Sequence, residues 1–298
     1  METNTIVKPR VKGHGSFILR DGWINKALSE LVKDGNERVF NASDATDIFG
    51  IGSNMVTALK YWMQCFGLVD DNTSKGIFLS ELGQLIYEND RYLEDIFTVW
   101  LLHSNIVHNY EKASLIHDYF NDEKIQTISK ESLLEVCVRK WEQFGLPEKS
   151  IESDVTILFN TYCKEKQNDD PEDKIVSPLN ELGLIKQDND GNYSKIQPDL
   201  RLLPDETILF ELSNIFDREY SLKAEIVQRR SISIERVATG QYSLGVVYNL
   251  SKVATNQMLN RLQNLKYITV DRTAGLDVIY DEGIPSPIEI VKEYYSQR

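Results

Sequence analysis

The sequence predicts a mainly α-helical chain with small β-hairpin wings, arranged as two winged-helix-like domains joined by a helical connector. Three observations carry this expectation. Apolar residues recur at three- and four-residue intervals over most of the 298 positions. Clusters of Gly, Asn and Asp punctuate those stretches. The succession helix, short helix, turn, longer helix, hairpin can be read twice, once near each end. The expected units are an N-terminal winged-helix-like domain at 1–90, a helical connector domain with a mobile acidic loop at 91–204, and a C-terminal winged-helix-like domain at 205–298.

In the first unit, Ile24, Leu28, Leu31 and Val32 give residues 23–32 one apolar face, and Gly35 with Asn36 ends the helix. Ser43 is placed to cap a short helix through Phe49, because its hydroxyl can accept from an orphan first-turn amide. Gly50, Ile51 and Gly52 make a turn. A third helix then runs from Ser53 or Asn54 to Phe66, stopped by a left-handed Gly67, and residues 67–80 read as a hairpin.

Helical stripes fill residues 92–144, through Ile96, Val99, Trp100 and His103 and then Leu133, Leu134, Val138 and Trp141. Another helix spans 152–162. The polar run at 164–174 reads as a mobile loop, residues 177–185 as a helix end and strand, and 189–192 as a turn. In the last unit, residues 205–216 form a capped amphipathic helix and a short helix follows Ser233. Ser251 opens a helix through Leu265 striped by Leu259 and Leu262, and a hairpin turns around Thr273, Ala274 and Gly275.

Composition excludes several classes. With 41% hydrophobic residues, 14 Tyr, 11 Phe and 4 Trp, the chain can bury a sizeable core. No apolar run approaches the roughly 20 residues of a membrane span, and the first residues lack the features of a signal peptide, so no membrane association and a cytoplasmic location are expected. Cys65, Cys137 and Cys163 are isolated, which argues against disulfide or zinc frameworks and for small core residues. Phosphate-binding glycine loops, zinc-protease and hydrolase-elbow motifs are absent.

Charge is uneven. Residues 1–67 carry eight basic and seven acidic side chains, net +1, which leaves the rest at −14 of the total −13. A polyanion would approach most easily at the N-terminal end, although Lys8, Arg10 and Lys12 also read as a solvated tail. On the third helix, Val56, Leu59, Met63 and Phe66 form the core stripe. Asn54, Thr57, Tyr61 and Gln64, with Lys60 beside them, form an outer face of groups that reach phosphates and base edges, and these five are the DNA-binding candidates. A partner-facing helix is the alternative. Asn256, Asn260, Arg261 and Gln263 offer a similar face near the C-terminus, but in acidic surroundings that favour a structural or partner role.

The segment GlyHisGlySerPheIleLeuArgAspGlyTrpIleAsnLysAla at 13–27 resembles the opening signature of a bacterial uncharacterised-domain family that includes SspB-like nicking components of DNA phosphorothioation anti-phage systems. PheGlyIleGlySerAsnMetValThrAlaLeuLysTyrTrp at 49–62 and GluSerAspValThrIleLeuPheAsnThrTyr at 152–162 agree, as do GluAsp with SerProLeuAsnGluLeuGlyLeuIle and the AlaGlyLeu of the last hairpin, in the family's order. The resemblance implies a DNA-binding, DNA-nicking subunit of a sulfur-modification system. Its implied partners are DNA, a cysteine desulfurase, a PAPS-reductase-like sulfurtransferase and an ATPase. The alternative is a non-catalytic winged-helix transcription regulator or adaptor protein.

The catalytic candidates are His14, Arg20 and Asp21. His14 lies between glycines where backbone can approach a phosphate, with Ser16 and Arg20 as oxygen ligands. Equally, Gly13 and Gly15 shape a turn while Arg20 and Asp21 pair to hold the first helix. As a turn residue, His14 is expected to contribute little packing. Metal-dependent nicking would use Mg2+ or Mn2+, with no ligand set assigned. Glu152 and Asp154 could share an ion only if their helix begins between them, and Glu172, Asp173 and Lys174 form half of a nuclease-like carboxylate–lysine pattern in a segment that reads as loop.

Overall fold

The structure, a computed structural model, describes residues 7–33, 35–72, 74–163, 176–221 and 229–298. The expected mobile run at 164–174, with Glu172, Asp173 and Lys174, lies outside the described residues. Helices dominate, joined by small antiparallel sheets.

The N-terminal part contains α1 (Trp23–Leu31), α2 (Ala45–Phe49), α3 (Ser53–Cys65) and the hairpin β1 (Val69–Asn72) with β2 (Gly76–Leu79). Ser43 does not cap α2: the helix starts one residue later, behind Asp44, and no side chain caps it. Gly67 ends α3 in a left-handed conformation (φ 65°), and the Leu68 amide donates back to the Met63 carbonyl at 3.0 Å.

Next come α4 (Glu81–Asp90), α5 (Ile96–His108), α6 (Ser114–Asn121), β3 (Thr127–Ile128), α7 (Lys130–Lys140), α8 (Glu148–Cys163), β4 (Ile185–Gln187) and β5 (Tyr193–Lys195). The last part holds α9 (Asp205–Tyr220), β6 (Ser231–Ser233), α10 (Ile234–Ala238), α11 (Leu244–Val247), α12 (Lys252–Asn264), β7 (Ile268–Asp271), β8 (Val278–Asp281) and α13 (Pro287–Ser296).

Two strands missed in the sequence complete these sheets. The short β3 and β6 each join a hairpin, giving the orders β3-β5-β4 and β6-β8-β7. The middle part, expected as a helical connector, therefore has the same succession as the last part: helix, strand, helices, hairpin placed in the same strand order. In the N-terminal part the Ile77 amide donates to the Glu37 carbonyl at 2.7 Å, a single bond at the position of the third strand.

One apolar core runs through all three parts. Trp23, Trp62, Trp100 and Trp141 are all buried. Three of their indole N–H groups reach distant segments: Trp62 donates to the Phe17 carbonyl (3.1 Å), Trp100 to the Leu202 carbonyl (2.8 Å) and Trp141 to Asp118 (3.2 Å). A buried indole needs such an acceptor. The last helix, α13, packs on α9 and on α4; Tyr294 donates to Asp95, Arg298 pairs with the same carboxylate, and the Tyr295 hydroxyl lies 2.6 Å from that of Thr98. Among the described residues no helix is long and apolar enough to cross a membrane.

His103 is buried in this core. Its Nε2 donates to the Val247 carbonyl (2.6 Å), so Nδ1 accepts from the Tyr162 hydroxyl (2.8 Å). Burial lowers its pKa from 6.5 to about 4. Between those values the unfolded chain holds a proton that the folded chain does not, so stability falls as pH drops through the window. The loss should reach roughly 3 kcal/mol at its lower end. Urea unfolding between pH 7 and 4 should show this decline in the wild type and a flatter one in His103→Gln; equal slopes would contradict it.

Candidate functional site

The opening loop is pinned rather than loose. The Arg10 amide donates to Ser114 Oγ (2.8 Å) and the Lys12 amide to Asp154 Oδ1 (2.8 Å). The segment from Arg10 to Lys12 is therefore not a free tail, yet the side chains of Lys8, Arg10 and Lys12 are exposed and form no ion pair among the described residues, Arg10 lying over the Tyr61 ring at 5.5 Å. The loop passes so close to α3 that a Cβ at Gly13 would come within 2.4 Å of the Tyr61 ring, and Gly15 turns with φ 55°.

His14 anchors this loop to α8. The Ser16 amide donates to Nδ1 (3.0 Å), so the ring proton sits on Nε2 and is donated to Asp154 Oδ1 at 2.8 Å. Two of the motif segments, 13–27 and 152–162, thus meet at one hydrogen bond. His14 is 3% exposed, and the cavity beside it measures about 10 Å³, at the lower limit for one water. The expectation of little packing fails here, because the ring is enclosed by Tyr61, Trp62 and α8. A phosphate does not fit beside it.

The other catalytic candidates stand apart. The Arg20 guanidinium lies over the rings of Phe17 and Trp23, at 5.8 and 5.5 Å, and forms no pair with Asp21. Asp21 is exposed and lines a cleft of about 840 Å³ with Lys26, Glu94 and Glu181. No contact joins either residue to His14 among the described residues. Glu152 and Asp154 both lie well inside α8, the first exposed and the second buried, so they do not face one ion. Among the described residues no three His, Cys, Asp or Glu side chains form a metal-binding group.

The α3 face needs one correction. Tyr61 is buried, 6% exposed, because the opening loop and α8 cover that side of the helix and widen its buried face beyond a single stripe. Burial, then Cys65 beside it, pushes its phenol well above the ordinary range. Asn54 and Thr57 are exposed. Lys60 and Gln64 reach Asp71 on β1, at 3.6 and 2.8 Å, and so tie the hairpin to the helix. On α12 the corresponding groups are used internally: Asn256 and Asn260 accept from Arg272, Arg261 pairs with Asp205, and Gln263 accepts from the Val270 amide.

A second polar cluster, missed in the sequence, lies where α5, α6 and α9 meet the loop between α10 and α11. Glu211 has no exposed surface; Ser104 donates to it at 2.5 Å and His108 Nε2 at 2.7 Å. Arg218 donates to His108 Nδ1 (2.9 Å) and lies 3.8 Å from the centre of the Tyr242 ring, while His108 stacks on the same ring. Tyr242 donates its hydroxyl to His117 Nε2 (2.8 Å), and His117 Nδ1 donates to Asp118 (3.0 Å). Lys140 and Trp141 hold the other Asp118 oxygen. Burial acts to raise the Asp118 carboxyl, but bonds from His117 and Lys140 outweigh it and hold the group below its ordinary value. No sequence spacing announces this cluster, since His117 and Tyr242 are 125 positions apart.

This chain belongs to a family of proteins of unknown function, DUF4007, whose pattern it matches over residues 11–295. In fold it is similar to a magnesium ion-bound SspB crystal structure, with a TM-score of 0.82 and 21% identity, covering 96% of this chain and 87% of that one. A second SspB crystal structure gives the same TM-score at 22% identity, covering 96% and 88%. No curated protein matches the chain in sequence.

The buried His14–Asp154 bond should be a stabilising element. His14→Ala should cost about 2–3 kcal/mol, as it strips a buried carboxylate of a partner. A double-mutant cycle with Asp154→Asn, read by urea denaturation, should show coupling of at least about 1 kcal/mol. Additive losses would contradict the pairing.

Proposed function

We propose that this chain is the DNA-binding, strand-nicking component of a DNA phosphorothioation system used in anti-phage defence. Family membership and the SspB-like fold across 96% of the chain support the system. The observation that carries DNA contact is the row Lys8, Arg10 and Lys12. These basic side chains are exposed, without ion pairs among the described residues, and held beside the outer face of α3 in a chain of net charge −13. Pinning the backbone lowers the ordering cost that a loose basic tail would incur on binding.

In this reading the first and last parts are winged helices. The first presents Asn54, Thr57, Lys60 and Gln64 to the duplex, and the opening loop grips the adjoining backbone. Tyr61 supports that surface from beneath. The last part, whose α12 polar groups are engaged within the chain, faces protein partners. Those partners are the cysteine desulfurase, the PAPS-reductase-like sulfurtransferase and the ATPase of the same system, which would supply positive surface that this acidic chain lacks.

Incubation with supercoiled plasmid and Mg2+ or Mn2+ should give open circles; retardation without nicking would favour the non-catalytic regulator or adaptor. Replacing Lys8, Arg10 and Lys12 together by Glu should weaken duplex binding at least about tenfold, equivalent to about 1.4 kcal/mol. The dependence of log affinity on log salt should also become shallower by roughly two to three. Unchanged affinity at low salt would overturn the assignment of this edge.

A further inference from the structure

The Asp118–His117–Tyr242 chain has the order of a nucleophile, its base and an orienting carboxylate. Hydrogen-bond chemistry fixes each proton. Asp118 only accepts, so His117 carries its proton on Nδ1 and presents a bare Nε2 to the phenol. The two inner members are buried, at 8% and 5% exposure, whereas Tyr242 is half-buried beside the exposed Gln241. Tyr242 is thus the member of the chain nearest to solvent.

Three further features surround the tyrosine. Its backbone is left-handed, with φ 61°, a conformation that costs a bulky residue roughly 1–2 kcal/mol. Neighbouring groups hold it there: the Tyr242 amide donates to Asn121 Oδ1 (2.9 Å) and the Gly240 amide to Glu123 Oε1 (2.5 Å). The Arg218 guanidinium lies 3.8 Å from the ring centre and has no carboxylate paired with it among the described residues; burial raises the phenol above its ordinary value, and this positive charge acts the other way, favouring a phenolate. Finally, Ser114, which fixes the basic opening loop, lies one turn before His117 on α6. The loop and the tyrosine thus contact successive turns of one helix.

We propose that Tyr242 is the nucleophile of strand nicking, with His117 as its general base, Asp118 as a positioning residue and Arg218 as the phosphate-binding cation; this rests on the nicking reading above. The Tyr242 oxygen forms a bond to phosphorus as the bond from phosphorus to one flanking sugar oxygen breaks. The phenol proton passes to His117 Nε2 and then to the departing sugar oxygen. The product is a phosphotyrosyl-linked strand end and a free hydroxyl end, with no oxidant, reductant or co-reactant consumed. Reversal of the same step reseals the strand.

The test is to denature a reaction of full-length protein and end-labelled supercoiled plasmid in SDS, with Mg2+, Mn2+ or EDTA present, and to map any adduct by mass spectrometry. The proposal expects an SDS-stable protein–DNA adduct carrying the nucleotide on Tyr242. Tyr242→Phe, which keeps the ring stacked under Arg218, should lose both adduct and nicking at least a hundredfold while its melting temperature stays close to wild type. Nicked circles with two protein-free ends, an adduct mapped to another residue, or wild-type nicking by Tyr242→Phe would overturn this inference and leave the nicking reading standing. Wild-type protein that never nicks would overturn both. Because the adduct is sought first in the wild type, a poorly folding variant does not decide the outcome.

Discussion

Two buried carboxylates, Asp118 and Glu211, set the terms on which the middle of this molecule is built. A carboxylate withdrawn from water is tolerated only when nearby donors replace its hydration. Glu211 therefore requires Ser104 and His108 of α5, and Asp118 requires His117, Lys140 and Trp141. These demands bring α5, α6, α9 and the end of α7 into fixed register. They also leave His108 and His117 on either side of one residue, Tyr242, from a loop far away in the chain. Removing either carboxylate would release more than one contact, because each histidine it orients also holds the tyrosine or Arg218.

A second, smaller constraint acts at the N-terminal edge. The His14–Asp154 bond and the Arg10–Ser114 bond lay the opening loop along α3, α6 and α8. The loop's His14 faces inward, Lys8 and Lys12 are exposed, and the exposed Arg10 side chain lies over the Tyr61 ring at 5.5 Å. One element thus links packing to electrostatics: the contacts that bury His14 are those that hold Lys8, Arg10 and Lys12 at the surface. In a chain whose remaining surface repels polyanions, that geometry matters more than the small local charge excess.

Much of the secondary structure was legible because it has local causes. Ser233 and Ser251 cap their helices as the sequence indicates, accepting from the Arg236 and Ala254 amides, and Gly67 ends α3. The strands β3 and β6 were missed because two or three residues carry too little periodicity to register, and their existence depends on pairing with hairpins far along the chain. Tyr61 was misplaced for a related reason. Periodicity finds one buried stripe, but α3 is covered on two sides, the second by a loop whose path no helical pattern encodes. His14 stood out through its flanking glycines, yet its partner Asp154, and hence its burial, lies 140 positions away. The histidine–tyrosine cluster had no sequence signal beyond four scattered histidines, three of which fall between positions 103 and 117.

In the proposed reading DNA is engaged along the pinned opening loop and the outer face of α3, with the backbone led along α6 to the Tyr242 loop. Amide hydrogen exchange of the full-length chain with and without a duplex at low salt tests this most directly. Slowed exchange is expected in residues 8–16, in the first turns of α3 and in residues 239–243, with the C-terminal hairpin unchanged. Protection confined to that hairpin and α12, with the opening loop exchanging as in the free protein, would contradict it.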